Sequence, residues 1–187
     1  YIYEYKIFAD AKHADDNNRM AERLVKTILW LVGGYKIYLT GDKSVYEYIK
    51  AAYTDDGLRA FDKKFMERVY EKPFEVVLCD EKSFPKEKKC SLSVGGHLDG
   101  CRIGFDAGGS DRKVSAVVDG KVVYSEEVVW FPKINSDPDY HYNEILTAFR
   151  TAASKMPRVD AIGVSSAGVY VNNKIMVASL FLKVNDE

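Results

Sequence analysis

The segment Ile103–Ser110 limits the possible folds of this chain more than any other. It contains an apolar strand that ends in Asp106 and is followed almost at once by Gly108, Gly109 and Ser110. Glycines leave backbone N–H groups unobstructed for an anion, and a carboxylate beside them can hold a cation. The segment therefore predicts a turn that binds a nucleotide phosphate together with its magnesium ion.

The residues after this turn predict two further strands and a helix. Lys113–Val118 is an alternating run, and Lys121–Trp130 is rich in β-branched and aromatic residues. Asp119-Gly120 suits a tight primed turn of a hairpin between strands at 112–118 and 122–130. Asp137 and Pro138 then supply a helix cap and a proline at the first helical position. Apolar residues recur at helical spacing on one face of the helix, at Ile145, Phe149, Ala152 and Met156.

A fourth strand and a second small-residue loop follow this helix. Val159–Val164 is a short apolar run of the buried-strand type, and it leads into Ser165–Gly168. Asn172-Asn173 then separates two apolar runs of a hairpin within Val169–Val184. The predicted order is β-β-β-α-β, with one glycine loop after the first strand and another after the fourth.

This order and the first loop resemble the actin-like ATPase superfamily, most closely its ROK branch of bacterial sugar kinases and sugar-responsive repressors. In the ROK family the first loop reads roughly Asp-x-Gly-Gly-Thr, and a Pro-Gly-Pro loop follows the helix and the fourth strand. Asp106–Ser110 fits the first loop with serine in place of threonine, and Ser166–Gly168 fits the second by position. The resemblance covers about Arg102 to the C-terminus and implies a ribonuclease H-like (actin-like ATPase) half domain.

The resemblance implies ATP and Mg²⁺ as cofactors and phosphoryl transfer from ATP to a sugar hydroxyl. Asp106 would hold magnesium through water, because magnesium keeps much of its hydration shell. The implied phosphate-binding residues are Gly108, Gly109, Ser110, Lys113, Ser166 and Gly168. A solvated lysine at a strand start is the favoured interpretation of Lys113, and structural and functional interpretations of Ser166 and Gly168 are balanced.

No catalytic residue can be assigned in this chain. The resemblance places the catalytic aspartate, a second phosphate loop and an adenosine loop beyond the equivalent of Glu187. The sequence begins at Tyr1 without a methionine, so we expect a piece of a longer protein. We expect that piece alone to lack kinase activity and to bind nucleotide weakly.

The first part of the chain predicts an α/β segment of unknown role, which gives two domains, 1–99 and 100–187. We expect strands at Tyr1–Phe8, 35–40 and 74–79, and helices at 43–53 and 58–70. Asn17 or Asn18 would cap an earlier helix that Gly33-Gly34 ends. The segment is faintly similar to the adenosine-binding region of ROK kinases, and a separate docking or capping domain is the alternative.

Composition favours an intracellular protein that does not bind nucleic acid or membranes. The chain has 27 basic and 28 acidic side chains and no basic stripe. Its three cysteines, Cys79, Cys90 and Cys101, lack the spacing of a disulfide framework or a zinc site, so we expect a reduced, cytoplasmic setting. The expected partners are a nucleotide and a hexose, and a homo-oligomer stays open. His13, His97 and His141 are interpreted as surface or capping residues.

Three alternatives remain open at this point. A ribonuclease H-like nuclease would need several converging carboxylates, and Asp106 and Glu144 could serve, but Ser165-Ser166 stands where the third should be. A sugar-responsive repressor of the same family would need a basic helix-turn-helix upstream. A non-catalytic ROK-like protein would use the fold for binding or regulation.

Overall fold

The computed structural model describes residues 1–87 and 95–185 and shows an α/β protein. The chain divides into an N-terminal unit, Tyr1–Leu92, and a C-terminal unit, Ser93–Glu187. Each unit has its own apolar cluster of buried side chains. None of the helices in these described ranges is long and apolar enough to cross a lipid bilayer.

The N-terminal unit packs three helices around a two-stranded parallel sheet. Its elements are α1 (Ala14–Val32), β1 (Lys36–Leu39), α2 (Lys43–Ala52), α3 (Ala60–Tyr70) and β2 (Glu75–Leu78). Gly33, with a positive φ, ends α1, and the Asp42 side chain caps α2 by accepting a bond from the Val45 N–H. The buried apolar side chains are Leu29, Ile49, Ala52, Tyr53, Met66 and Phe74. The helices and strands predicted after residue 20 are therefore present, with slightly shorter bounds.

Two predictions about the start of the chain are wrong. Tyr1–Phe8 forms no strand, and neither Asn17 nor Asn18 caps α1, because the helix begins at Ala14 and includes both residues. The Asn17 side chain accepts a bond from the Phe8 N–H and donates one to the Phe8 carbonyl, both at 2.9 Å. An alternating apolar segment becomes a strand only where a neighbouring edge supplies ladder bonds, and here an asparagine side chain satisfies the backbone of Phe8.

The C-terminal unit has the predicted β-β-β-α-β order. Its elements are β3 (Cys101–Ala107), β4 (Asp111–Val118), β5 (Lys121–Val129), α4 (Pro138–Ala153), β6 (Ala161–Ser166), β7 (Gly168–Val171) and β8 (Lys174–Ala178). The first four strands form a mixed sheet in the order β5-β4-β3-β6, in which only the β3–β6 pair is parallel. β7 and β8 form a separate hairpin. The ribonuclease H-like half domain predicted from the sequence is confirmed.

Local chemistry explains the turns of this unit. Asp119 and Gly120 both adopt positive φ, as the predicted primed turn requires, and so do Asn172 and Asn173 between β7 and β8. The Asp137 side chain accepts a bond from the Asp139 N–H and begins α4. These short polar pairs set the register of both hairpins.

The helix α4 covers one face of the four-stranded sheet. Phe105 meets Phe149 of α4 edge-on at a ring distance of 5.2 Å, and Ile103, Val114 and Ala116 lie in the same cluster. Side chains alternate across a strand, so Gly104, Asp106, Lys113 and Ser115 lie on the opposite face. We call that face the open face of the sheet, because Asp106 and Lys113 are exposed on it.

Among the described cysteines, Cys79 and Cys101 carry free thiols. Cys90 and the end of the polar connector predicted at 80–89 lie outside the described residues. The part of that connector that the structure describes contains one short turn of 3₁₀ helix, Glu81–Ser83.

Candidate phosphate-binding site

The two predicted loops lie at the same edge of the sheet. Parallel pairing of β3 with β6 aligns Asp106 with Ser165 and Ala107 with Ser166. The carboxyl ends of the two strands therefore stand side by side, although the loops are far apart in sequence. Because Asp106 and Ala107 belong to β3, the name first loop is kept from here on for residues 108–110, and the second loop is residues 166–168.

A buried tryptophan fixes the first loop. Trp130, 1% exposed, donates a bond from its indole Nε1 to the Gly108 carbonyl at 2.8 Å. Its backbone N–H donates to the Ser110 carbonyl at 3.2 Å. In both bonds a carbonyl oxygen of the loop is the acceptor, so Trp130 fixes the loop without using any of its N–H groups.

The backbone N–H groups of the first loop are not engaged by any residue that the structure describes. In the described ranges, no acceptor is seen for the backbone N–H groups of Gly108, Gly109 and Ser110. Only glycine fits at position 108, where the backbone lies close to that of Asp111, because a Cβ there would lie 2.5 Å from the Asp111 carbonyl oxygen. A fixed turn that presents several free N–H groups is the backbone arrangement that binds anions.

Lys133 lies against this loop, and the sequence analysis did not identify it. A Cβ on Gly109 would lie 2.6 Å from the Lys133 Nζ. In the residues the structure describes, Lys133 makes no ion pair, so its ammonium group is available to an anion. The site therefore combines free amide donors with a cation.

His141 holds the loop that carries Lys133. It is buried and not a surface residue, because its Nε2 lies 2.9 Å from the Pro132 carbonyl and its Nδ1 lies 3.1 Å from the Asp137 carbonyl. Pro132 is itself fully buried. Of the two interpretations of His141, surface or capping residue, the surface one is therefore wrong, and its role here is to anchor the β5–α4 connection beside the first loop.

Lys113, in contrast, already has carboxylate partners. Its Nζ lies 2.9 Å from Asp111 Oδ1 and 3.8 Å from Glu127 Oε1. The hydrogen bond to Asp111 raises the pKa of Lys113, and the same bond lowers the pKa of Asp111. Of the two lysines near the first loop, Lys133 is therefore the better candidate for binding a phosphate.

Asp106 is exposed at the end of β3, and its magnesium role stays a prediction. Its side chain is exposed on the open face, between Lys113 on β4 and Ser165 on β6 in the strand register. The Asp106 carboxylate makes no hydrogen bond or ion pair with any residue that the structure describes. A free carboxylate at a strand end, beside an anion-binding turn, can hold a hydrated magnesium ion through its water ligands.

The second loop is occupied by contacts within the protein. The Tyr170 hydroxyl donates to Ser166 Oγ at 2.9 Å. Gly168 has a φ of 133°, and a Cβ there would lie 2.6 Å from the Val177 carbonyl oxygen. These contacts give Ser166 and Gly168 structural reasons to be present, while their predicted phosphate contact stays a prediction.

Asp106 and Glu144, the two carboxylates that a ribonuclease H-like nuclease could use, lie on opposite faces of the sheet. Glu144 Oε2 accepts a bond at 2.8 Å from the buried Arg112, which lies under α4, whereas Asp106 lies on the open face. Glu126 also lies 3.5 Å from Arg112. Glu144 therefore neutralises a buried arginine and does not share a metal position with Asp106.

Comparison with known proteins adds little to this description. No protein-family model matches the sequence, and a search of curated proteins finds no match. Among solved structures, the chain is similar to an exopolyphosphatase from Cytophaga hutchinsonii ATCC 33406, with 12% sequence identity and a TM-score of 0.27. The match covers 83% of this chain and 52% of the exopolyphosphatase, so the chain spans about half the length of that protein. A likeness with so low a TM-score carries no argument about this chain, and the description of the fold rests on the topology of the sheet.

Proposed function

We propose that the C-terminal unit is the phosphate-binding lobe of a ROK-like, ATP-dependent sugar kinase. In this proposal Gly108, Gly109 and Ser110 bind the β- and γ-phosphates, and Asp106 holds magnesium through water. The observation that carries the proposal is the first loop, whose carbonyls are bonded to Trp130 while its N–H groups are free beside Lys133. A cytoplasmic location, a nucleotide and a hexose belong to the same proposal.

The chemistry required of this lobe is positioning and charge stabilisation. Phosphoryl transfer proceeds with little covalent help from the protein, and its rate depends on aligned groups and on neutralised phosphate oxygens. The first loop would orient the phosphates through backbone N–H groups that need no rearrangement, and Lys133 would offset their charge. Magnesium, when bound, would neutralise further charge on the β- and γ-phosphate oxygens.

The group that would activate the sugar hydroxyl is not assigned in residues 1–187. We therefore expect this chain alone to bind magnesium nucleotide weakly, with a Kd of about 1 mM, and to transfer no phosphate. The alternative of a non-catalytic ROK-like binding protein shares the same phosphate site and differs only in turnover.

The proposal is tested with Asp106→Asn and a matched control, Asp119→Asn. Asp119 lies in the turn at the opposite edge of the same sheet, and its Oδ1 accepts the Gly100 N–H, a bond that asparagine can also accept. Binding of magnesium ADP is measured by calorimetry on this chain. Sugar-dependent ATP turnover is measured on the full-length protein with a panel of hexoses.

We expect Asp106→Asn to abolish magnesium-dependent nucleotide binding and to lower turnover by about 100-fold, comparable to the loss of an electrostatic catalytic contact, while Asp119→Asn leaves both unchanged. Binding that depends on Asp106 without turnover on any hexose would favour the non-catalytic alternative. No nucleotide binding in the intact protein would refute the proposal.

A further inference from the structure

A second candidate binding surface lies in the N-terminal unit, on α1 and the start of α3. An open depression of about 400 Å³ is lined by Arg23, Lys26, Thr27, Trp30, Leu31 and Arg59. Phe61 of α3 stands beside it, with its ring nearly parallel to that of Trp30 at a centroid distance of 6.4 Å. We call this surface the Trp30 surface.

The Trp30 surface exposes large apolar side chains. Trp30 is 43% exposed, Leu31 77% and Phe61 70%. The tryptophan ring is nevertheless held in place, because its Nε1 donates to Asp62 Oδ1 at 2.5 Å and its ring contacts Phe65 at 4.8 Å. Rigid, exposed aromatic side chains are the usual anchors of protein interfaces.

The charge of the Trp30 surface is positive. Two carboxylates beside it are buried: Glu22 bonds to the Arg59 guanidinium, and Asp62 bonds to Trp30 and lies 3.7 Å from Arg59. In the ranges that the structure describes, Arg23 and Lys26 have no carboxylate partner. No carboxylate of the described residues therefore neutralises the exposed Arg23 or the half-buried Lys26.

The open shape of the depression favours a macromolecular ligand. Sites for small molecules enclose most of the ligand surface, whereas this depression is open and its apolar side chains project into solvent. An exposed apolar centre with arginine and lysine beside it matches a protein segment that carries apolar and acidic side chains together.

We propose that the Trp30 surface binds an acidic amphipathic helix of a partner protein. The apolar face of that helix would contact Trp30, Leu31 and Phe61, and its carboxylates would pair with Arg23 and Lys26. This proposal is independent of the phosphate site, which lies in the C-terminal unit.

The test uses the intrinsic fluorescence of the intact chain. The protein has two tryptophans, and Trp130 is buried, so a ligand-induced change reports on Trp30. The probe is a synthetic helical peptide with leucine and phenylalanine on one face and glutamate on the other. A second peptide with lysine in place of every glutamate has the same apolar face and the opposite charge.

We expect the acidic peptide to change Trp30 fluorescence with a Kd of about 10 µM and the basic peptide to bind at least tenfold more weakly. The double variant Arg23→Glu with Lys26→Glu should weaken binding of the acidic peptide at least tenfold. Its matched control, Lys43→Glu with Lys50→Glu, makes the same charge change on α2 and should have no effect. Phe61→Ser, at a side chain that is 70% exposed, should also weaken binding at least fivefold.

Several results would overturn the proposal. These are equal binding of the two peptides, no binding of the acidic peptide at about 1 mM, and binding that survives the Arg23 and Lys26 charge reversal. Tighter binding of a single-stranded oligonucleotide would assign the surface to nucleic acid. A fluorescence change that depends on protein concentration without peptide would assign it to self-association.

Discussion

The first and second loops lie at the same sheet edge, yet the protein uses them differently. In the first loop, Trp130 takes the carbonyl oxygens and leaves the N–H groups free, and Lys133 adds a cation. In the second loop, Tyr170 takes the Ser166 hydroxyl and the backbone of Gly168 packs against Val177. Small residues at a strand end are therefore not sufficient to indicate a ligand site, because the same residue types also allow close packing.

The largest expected difference comes from one substitution made in each loop. Gly168→Ala should lower the free energy of unfolding by about 2 kcal/mol, because alanine is strained at a φ of 133° and its Cβ would meet the Val177 carbonyl. Gly109→Ala should change stability by less than about 0.5 kcal/mol, because the group in its way is the flexible end of Lys133.

The two glycine variants are compared by urea unfolding and by calorimetric titration with magnesium ADP. Gly109→Ala should lower nucleotide affinity about fivefold, since Lys133 must move away from the loop. Equal stability losses in the two variants would show that the loops do not differ as described.

A smaller loss of stability should follow the removal of one indole hydrogen bond. Trp130→Phe leaves the Gly108 carbonyl without its donor and leaves space in the core. We expect the free energy of unfolding to fall by about 1.5 kcal/mol. Nucleotide affinity should fall as well, because the first loop loses the bond that fixes it. The control is Tyr142→Phe, which alters an aromatic side chain that is exposed on α4. Unchanged affinity in Trp130→Phe would mean that Trp130 does not organise the loop.

Nucleotide-binding measurements can distinguish the roles of Lys113 and Lys133 near the first loop. Lys133→Ala should weaken binding of magnesium ADP about tenfold, as expected for losing one charge-assisted contact. Lys113→Ala should weaken it less than about twofold, since Asp111 and Glu127 already pair with Lys113. Calorimetry on both variants checks this order, and the reverse order would reassign the phosphate contact to Lys113.

The smallest expected effect is a loss of folding stability at acid pH. The pKa of Asp111 is lowered mainly by its bond with Lys113, so the pair stabilises the folded protein above the unfolded-state pKa of about 4. That stabilisation is lost as the pH falls through the lower, folded-state pKa. A carboxyl titration followed by NMR should give Asp111 a midpoint below those of unpaired aspartates, and Lys113→Ala should raise it. An Asp111 midpoint that is the same in both proteins would contradict the ion pair.

Local patterns predicted the C-terminal unit well. The turn at Asp119-Gly120, the cap at Asp137 and the alternating apolar residues of β3 and β4 each act within a few residues, so the sequence displays them directly. The β-β-β-α-β order follows from those elements alone. The alignment of the two loops then follows from the pairing of β3 with β6.

The residues that complete the site depend on contacts between distant segments. Trp130 and Lys133 reach the first loop only because β5 pairs with β4 and the following connection is anchored by His141. A tryptophan that ends a strand and a lysine after a proline carry no distinctive sequence pattern. The same limit explains Asn17, whose partner Phe8 lies in a segment with strand-like alternation but no neighbouring strand.

The pairing of β3 with β6 also has a consequence for the time at which the site forms. Cys101 and Asp160, which bond at the start of these two strands, are 59 residues apart, whereas the β3–β4 and β4–β5 hairpins close over a few residues. Closing a long loop costs more chain entropy than closing a short one. We expect the first loop to form with the early hairpins and the edge it shares with β6 to assemble last, an order that pulsed hydrogen exchange can check. A nascent chain would then carry a formed first loop before β6 and the second loop are in place beside it.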